Sequence, residues 1–265
     1  MEALPQKLEN GGSSSKFNPP KEANKRVTSH RNLFLDDKDR PFTAEWQGTR
    51  QNIMKSLRFY RELIVNRKLL DKLSQEHGNI SDSRRNWGLK VHMRAAKVVE
   101  NSEKYWVNTG KQIGPIPGIN AGDEFYWRGE LIIVGLHRDF QRGIDYMKLV
   151  NGKTLATSIV DSGRYENVEW VSSDMMVYCG EGENPNLSCG RKPKDQKLAR
   201  GNLALKNSMD EKMPVRVIRR AFNDGVEYGC DYKFVYGGLY IVTEYWKEKG
   251  KFGTDVYKFL LRKCE

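Results

Sequence analysis

The residue types that most often carry catalysis or bind metals are few and scattered in this chain. No two of its four cysteines are spaced as a Cys-x-x-Cys pair, and its four histidines form no closely spaced pair. Zinc sites built from neighbouring ligands need such pairs, so we expect reduced thiols, no metal and no cofactor. The run Asp195–Lys197 resembles the carboxylate–lysine pair of a nuclease but lacks partner acids. We therefore expect no catalytic residue and no enzyme.

The overall charge points instead to binding chemistry. The 265 residues carry a formal net charge of +11 at pH 7, with a pI near 9.4. An acidic partner fits this charge, and nucleic acid is the commonest one for an intracellular protein, although other basic proteins share it. No apolar run approaches membrane-spanning length, and the N-terminus has no apolar signal region. We expect an intracellular protein with no membrane partner.

The elements that must position such a binding surface fall into two regions behind a polar tail. Residues 1–42 are rich in Gly, Ser, Pro and charges, which predicts a disordered tail. Residues 43–109 read as a helical lead-in. Apolar residues at helical spacing predict one helix over about 43–73 and a second over Leu89–Glu100, with a loop at His77–Gly88 between them.

After the lead-in the pattern changes to β structure. Asn151–Gly152 predicts a hairpin with a type I′ turn, and Asp224–Gly225 predicts a second hairpin. Glu124–His137 reads as strand, turn and strand, and alternating Pro214–Arg219 as a half-buried strand. Gly237–Gly238, between aromatic residues, suits a bend or a close backbone approach. Two further strands, Gly238–Trp246 and Asp255–Lys263, and one helix within Asp195–Met209 complete the pattern. Short strands with few helices favour a barrel or curved sheet.

The order of eight motifs is more specific than any one of them. They are GPIPGINAGDEF, GLHRDFQRGIDYM, ATSIVDSGRYEN, VYCGEG, DQKLARGNLAL, PVRVIR, VYGGLYIVTEYW and VYKFLLRK. Over residues 110–263 this order resembles the SRA (SET and RING-associated) domain, also called YDG. It is most similar to the plant branch, in which the domain precedes a histone lysine methyltransferase SET domain. The resemblance implies an α+β fold, a crescent-shaped PUA-like β-barrel with flanking helices.

The resemblance also implies binding of methylated DNA by flipping 5-methylcytosine into a pocket. Extruding a base costs a few kcal/mol, and stacking it on aromatic rings returns about 1–3 kcal/mol. Its polar edge then needs hydrogen-bond partners. By match to the family, Tyr165 and Tyr178 stack on the base. The remaining implied pocket residues are Ser162, Gly163, Asn167, Glu169 and Cys179.

Four positions in and beside this predicted pocket depart from the family pattern. Asn167 and Val168 stand where the family has an aspartate that accepts from the cytosine amine. Asn167 still offers a carbonyl, and Glu169 is an alternative acceptor if the segment is one residue longer. Cys179 replaces a threonine, and a thiol is a poorer hydrogen-bond partner. Arg164 replaces a glycine, and either crowds the pocket or contacts a phosphate.

Two loops are predicted to contact the duplex. In HRDFQRGID, Gln141 matches a glutamine that the family inserts into the gap left by the flipped base. The residues beside it are predicted to meet phosphates, namely His137, Arg138 and Arg142. In the second loop, ENPNLSCGRKPK, the predicted contacts are Arg191, Lys192 and Lys194. The alternative for both loops is a solvated, exposed segment.

Two hypotheses follow for function. No SET domain, cysteine-rich zinc region or RING pattern is recognised in the sequence, so the first hypothesis is a stand-alone nuclear chromatin reader. Its partner would be methylated double-stranded DNA, together with chromatin proteins. The second is a degenerate SRA module that serves protein interaction or non-specific DNA binding. The departures at Asn167, Val168 and Cys179 leave both open.

Overall fold

Helices precede the sheet and pack through one apolar face. In the first helix Ile53, Leu57, Tyr60 and Ile64 recur at helical spacing, and none is more than 9% exposed. The structure is a computed structural model that describes residues 44–76, 87–161, 169–172, 174–183, 194–225 and 227–264. Its α-helices are α1 (Ala44–Val65), α2 (Arg67–Glu76), α3 (Trp87–Glu100), α4 (Arg128–Ile133) and α5 (Arg200–Asp210). The predicted tail 1–42 and residues 77–86 of the predicted loop lie outside this description.

The lead-in prediction holds with one change. The helix predicted over 43–73 is divided into α1 and α2 at Asn66. The side-chain oxygen of Asn66 accepts a hydrogen bond from the Leu69 amide at 3.1 Å. This is the contact of a helix N-cap, so Asn66 starts a new helix. The predicted helix over Leu89–Glu100 is confirmed as α3.

The remainder of the described chain is built on one open, mixed sheet. Its strands are β1 (Glu124–Phe125), β2 (Ile144–Lys148), β3 (Thr154–Asp161), β4 (Glu169–Ser172), β5 (Met175–Cys179), β6 (Val215–Phe222), β7 (Tyr232–Lys249) and β8 (Asp255–Lys263). The order is β2-β3-β6-β7-β8-β5-β4, and β1 pairs with β7. Among these pairs β3–β6 is parallel and the rest are antiparallel. Helix α5 packs against β3, β7 and β2. The α+β class predicted from the sequence is therefore confirmed.

The hairpin predicted at Asn151–Gly152 is present, but its turn is of a different type. The Gly152 amide donates to the Leu149 carbonyl at 2.9 Å, and the Leu149 amide donates to Lys153 at 2.8 Å. Gly152 has a φ of +83°, whereas Asn151 is not in the left-handed region. A type I′ turn needs both residues there, so this is a three-residue loop with a left-handed glycine.

One further β prediction is wrong, and another holds with a different connection, since β6 and β7 form the second predicted hairpin as an antiparallel pair. The second half of Glu124–His137 is helix α4, because the Glu130 carboxylate accepts from the Tyr126 amide at 2.7 Å and so caps the helix start. The connection after β6 is longer than a two-residue turn at Asp224–Gly225. It closes where the Asn223 amide donates to Asp231, and it contains a 3₁₀ turn at Glu227–Gly229.

The paired glycines in β7 lie in a β-bulge. This agrees with the bend that the sequence predicted at Gly237–Gly238. Val217 of β6 lies opposite Gly238, and Ile218 lies opposite Tyr236, so Gly237 is an extra residue in β7. Gly238 has a φ of +101°, which favours glycine. A side chain on Gly237 would press on the Val217 carbonyl, at 3.3 Å. The glycines therefore bend the strand.

The predicted half-buried strand is more buried than its alternation suggests. The first four residues of β6 are buried, and they include Arg216, which is 1% exposed. Its guanidinium donates to three backbone carbonyls, those of Gln112, Gly114 and Leu136, at 2.9, 2.6 and 3.1 Å. Burial lowers the pKa of Arg216 to about 10, so it remains charged at neutral pH. Arg216 thus connects the segment before β1, which carries Gln112 and Gly114, to Leu136, which follows α4.

Two ion pairs connect helix α1 to the residue that precedes β1 and to helix α4. Arg50 forms a bidentate pair with Asp123, with one N–O distance of 2.8 Å. Arg61 donates to Glu130 at 2.7 Å, and the Glu130 side chain is fully buried. A methyl group on Gly129 would lie 2.1 Å from the Tyr60 hydroxyl. The lead-in therefore packs closely against α4.

Candidate nucleic-acid interface

Only part of the predicted interface lies within the described residues. Tyr178 and Cys179 end β5, and Glu169 begins β4 with its backbone opposite Val177. The predicted residues outside the description are Ser162, Gly163, Arg164, Tyr165, Asn167, Arg191 and Lys192. Their roles remain predictions.

Tyr178 is a buried residue at the end of its strand. It is 5% exposed and packs in a cluster with Ile144, Ala204 and Phe259, among others. On β8, Phe259 is its cross-strand partner. The aromatic ring is therefore rigidly supported, but little of it is open to solvent.

Cys179 does not share the face of Tyr178. Successive residues of a strand point to opposite sides of the sheet. The Cys179 sulfur accepts a hydrogen bond from Gln196 Nε2 at 3.6 Å, and the same amide nitrogen donates to the Gly180 carbonyl at 2.8 Å. Cys179 is only 3% exposed. Its thiol therefore lies under the residues that follow β5, and its predicted place in the pocket remains a prediction.

The 137–143 loop, His137 to Gly143, joins α4 to β2 and presents polar side chains to solvent. Arg138, Gln141 and Arg142 are exposed. Asp139 Oδ1 accepts from the amides of Gln141 and Arg142, at 2.8 and 2.7 Å. This is a local turn closed by a side chain, so the backbone that carries Gln141 is ordered by its own sequence.

Arg128, at the start of α4, holds the same loop from the side. Its Nη1 donates to the Arg142 carbonyl at 3.0 Å and to the Asp139 carbonyl at 3.4 Å. Its guanidinium also lies 5.6 Å from the Phe234 ring centroid, within the range of a cation–π contact. The loop is thus fixed to both α4 and β7.

His137 does not lie where it could meet a phosphate, so its predicted contact is corrected. It is fully buried, with Nε2 3.0 Å from the Arg142 carbonyl and Nδ1 2.8 Å from Ser158 Oγ. A carbonyl only accepts, so Nε2 carries the proton and Nδ1 accepts from Ser158. Burial, with a smaller effect of Arg128, lowers the pKa of His137 to about 3. His137 is a neutral support for the loop.

The loop and the predicted stacking residue meet at Gly143. The Gly143 carbonyl accepts from the Val160 amide at 2.7 Å, which anchors the loop to β3. A methyl group on Gly143 would lie only 2.4 Å from Tyr178 Oη. Glycine is therefore required for the loop to approach the tyrosine this closely.

The chain beyond Cys179 is braced from α5. Asn202 accepts from the Glu181 amide at 2.8 Å and donates to the Glu181 carbonyl at 3.0 Å. The Glu181 carboxylate accepts from the Gly201 amide at 2.9 Å, at the positive end of the helix. Lys194, a predicted DNA contact, is exposed and lies 3.4 Å from Glu183. The start and end of the second predicted loop are thus held, while 184–193 lies outside the description.

Several supporting residues escaped the sequence-based prediction. Arg128, Ser158, Gly143 and Asp145 hold the loop, yet none was predicted as a site residue, although the last three lie within the quoted motifs. Their hydrogen bonds at the loop span up to 21 residues of the chain, so only the fold brings these groups together. Across the described ranges, no group of three or more His, Cys, Asp or Glu side chains could hold a metal ion. None of the described helices has the length and apolar character to span a bilayer.

Comparison with known families decides the identity of the fold. The sequence profile described as "SAD/SRA domain" matches residues 112–265. The chain belongs to the SAD/SRA domain family. The resemblance carried by the eight motifs is thereby confirmed.

This SRA domain is similar in sequence to curated plant proteins. It is 41% identical over 223 residues to the histone-lysine N-methyltransferase, H3 lysine-9 specific SUVH5 of Arabidopsis thaliana, covering 83% of this chain and 27% of SUVH5. It is 40% identical over 215 residues to a YDG domain-containing protein of Arabidopsis thaliana, covering 80% of this chain and 61% of the relative. The chain thus spans about a quarter of SUVH5 and three fifths of the YDG protein.

A solved structure agrees with the fold beyond the SRA domain itself. The crystal structure of KRYPTONITE in complex with mCHH DNA, H3(1-15) peptide and SAH matches with a TM-score of 0.66 and 31% identity. The match covers 82% of this chain and 43% of KRYPTONITE. This share exceeds residues 112–265, so it includes part of the helical lead-in.

Proposed function

We propose that this chain binds double-stranded DNA containing 5-methylcytosine and flips the methylated base into a pocket beside Tyr178. The observation that carries the proposal is the meeting of the 137–143 loop with Tyr178 at Gly143. A flipping protein must fill the gap in the duplex and hold the extruded base at the same time. Here the exposed Gln141 lies two residues before Gly143, where the loop closely approaches the predicted stacking ring.

The energetics of the proposal require a rigid loop. Unstacking and unpairing a base costs a few kcal/mol, which stacking in the pocket and the inserted side chain must offset. A loop that ordered only on binding would add its own entropy cost. Asp139 accepts hydrogen bonds from loop amides, and Arg128 and His137 donate to a loop carbonyl, so the loop is ordered before DNA binds.

The exposed cations beside Gln141 suit the phosphate backbone. Arg138 and Arg142 flank Gln141, and Arg142 is partly balanced by Asp139 at 3.6 Å. Phosphate contacts set register and carry no sequence information, so methyl selectivity falls to the pocket. KRYPTONITE was solved with mCHH DNA, which supports the same ligand class here. A histone-lysine methyltransferase has a chromatin substrate, so the relatives also support a nuclear, chromatin-associated role.

A comparison of three duplexes tests the proposal. Unmethylated, hemimethylated and fully methylated DNA of one sequence are titrated against the chain at fixed salt. We expect tighter binding to methylated DNA, and loss of that preference in Tyr178→Leu and Tyr165→Ala. Tyr245→Leu is the matched control, since Tyr245 packs at the edge of the same apolar cluster. Equal affinity of the wild type for all three duplexes would contradict the proposal.

A second function is favoured by one observation. Tyr178 is 5% exposed, so a base that stacks on it must first uncover the ring. A module whose ring stays covered would bind DNA through Arg138 and Arg142 alone, without regard to methylation. In that case the three duplexes bind equally, with a strong dependence on salt.

A further inference from the structure

A buried carboxylate controls the start of the 137–143 loop. Asp145, on β2, has a side chain that is 4% exposed. Its Oδ2 accepts from the Arg138 amide at 2.8 Å, the first amide after His137. The carboxylate therefore ties the loop to the sheet at the point where the chain leaves α4.

Lys111, far from the loop in sequence, supplies the cation that this carboxylate needs. Lys111 Nζ donates to Asp145 Oδ1 at 2.5 Å and to the Tyr146 carbonyl at 2.8 Å. Burial would raise the pKa of Asp145, but the Lys111 ammonium group and the Arg138 amide, which both donate to the carboxylate, hold it below its ordinary value. An ionised carboxylate in this position is costly without a partner.

Lys111 is itself held in place by the buried Arg216. Arg216 Nη1 donates to the carbonyls of Gln112 and Gly114, the first and third residues after Lys111. Its Nε donates to the Leu136 carbonyl, directly before His137. One guanidinium therefore joins the segment that carries Lys111 to the segment that begins the loop.

We propose that Lys111 is a positioning residue for DNA recognition, acting through Asp145 to set the conformation of the 137–143 loop. It need not touch DNA for this role. Without its ammonium group the buried carboxylate loses its cation and moves or takes up a proton. The Arg138 amide then loses its acceptor, and the loop that carries Gln141 loosens. The effect on methyl preference rests on the proposed function, whereas the effect on the loop does not.

Hydrogen exchange of the loop tests this inference directly. Backbone amide exchange is followed by mass spectrometry on a peptide spanning the loop and, in the same sample, on a peptide from α5. The variants are Lys111→Met, which keeps the aliphatic stem, and Lys111→Arg, which keeps the charge. Lys153→Met is the matched control, because Lys153 is similarly exposed and pairs with Glu211 on the surface. The same four proteins are titrated with methylated and unmethylated duplexes.

In Lys111→Met we expect loop exchange to accelerate roughly tenfold or more, as loss of a charged hydrogen bond implies. The α5 peptide should be unchanged, Lys111→Arg should restore most of the protection, and Lys153→Met should match the wild type. Methyl preference should fall in Lys111→Met while salt-dependent binding persists. Unchanged loop exchange in Lys111→Met, or equal acceleration in α5, would overturn the inference. If wild type lacks methyl preference, the proposed function fails, and the exchange result still decides the role of Lys111.

Discussion

Substituting Gly143 by alanine should disturb both stability and methyl recognition through one atom of Tyr178. The added methyl group would lie 2.4 Å from Tyr178 Oη, and 3.5 Å from the Val160 carbonyl, which is an ordinary contact. Gly143 is not in the left-handed region, so alanine itself can adopt the backbone conformation. The tyrosine hydroxyl is therefore what the new methyl group must displace.

The expected free-energy change follows from two opposing effects. Overpacking of a close-packed site costs about 1–3 kcal/mol, while a glycine-to-alanine change stabilises by about 0.4–1 kcal/mol through the unfolded chain. A net destabilisation of about 1–2 kcal/mol results. The ring carbon that bears the hydroxyl is 3.8 Å from the added methyl group, which is a normal contact. Removal of the hydroxyl alone should therefore relieve the clash.

A double-mutant cycle with Tyr178→Phe isolates this effect. Unfolding free energies are measured in urea for wild type, Gly143→Ala, Tyr178→Phe and the double variant. We expect a favourable coupling of about 1–3 kcal/mol, because the overpacking cost is lost with the hydroxyl while the glycine-to-alanine gain is the same in both backgrounds. Gly48→Ala is the control, since no atom lies within 4 Å of its added methyl group. Additive effects within about 0.5 kcal/mol would refute the close approach of loop and tyrosine.

Three further outcomes are expected at other positions. Arg61→Met should lower the free energy of unfolding, measured in urea, by about 3 kcal/mol, because it leaves the buried Glu130 carboxylate without its cation. Glu130→Gln should lower it by less. Equal losses in the two variants would contradict this. The pKa of His137 lies far below 6.5, so wild type should lose about 1.4 kcal/mol of stability per pH unit below 6.5, towards its folded pKa of about 3. His137→Gln should lack that slope, and identical pH profiles would count against a neutral, buried His137. Arg142→Gln should lower the salt slope of DNA binding by about one for every duplex, whereas Gln141→Ala should change methyl preference and leave that slope intact; the reverse pattern would contradict their assignments.

Sequence reasoning succeeded where a signal is local or ordered along the chain. The helical spacing of Ile53, Leu57 and Tyr60 predicted α1, and eight ordered motifs predicted the family. The same reasoning failed at α4, where Trp127 and Ile133 lie in a run of apolar and aromatic residues typical of strands. The buried pair of Glu130 with Arg61 is a tertiary contact, and together with the local bond from the Tyr126 amide to Glu130 it overrides that preference.

The site was predictable only for exposed residues that match a motif. Arg138, Gln141 and Arg142 were predicted and are exposed on the loop. His137 was grouped with them because it adjoins them in sequence, yet the loop turns its ring inward to Ser158, 21 residues away. Lys111 gave no signal at all, because its role depends on a carboxylate 34 residues further along. Adjacency in sequence predicts membership of a loop but not the direction of each side chain.

Extrusion of 5-methylcytosine from the duplex can be observed by imino proton NMR of the DNA. A short duplex with one methylated CG site is titrated with the chain, and the imino resonance of the guanine opposite the methylcytosine is followed. We expect that resonance to be lost on binding, while the imino protons of base pairs away from the site remain. In Gln141→Ala the loss should be weaker at equal saturation. Persistence of the guanine imino resonance in a saturated complex would show that the methylcytosine stays paired in the duplex.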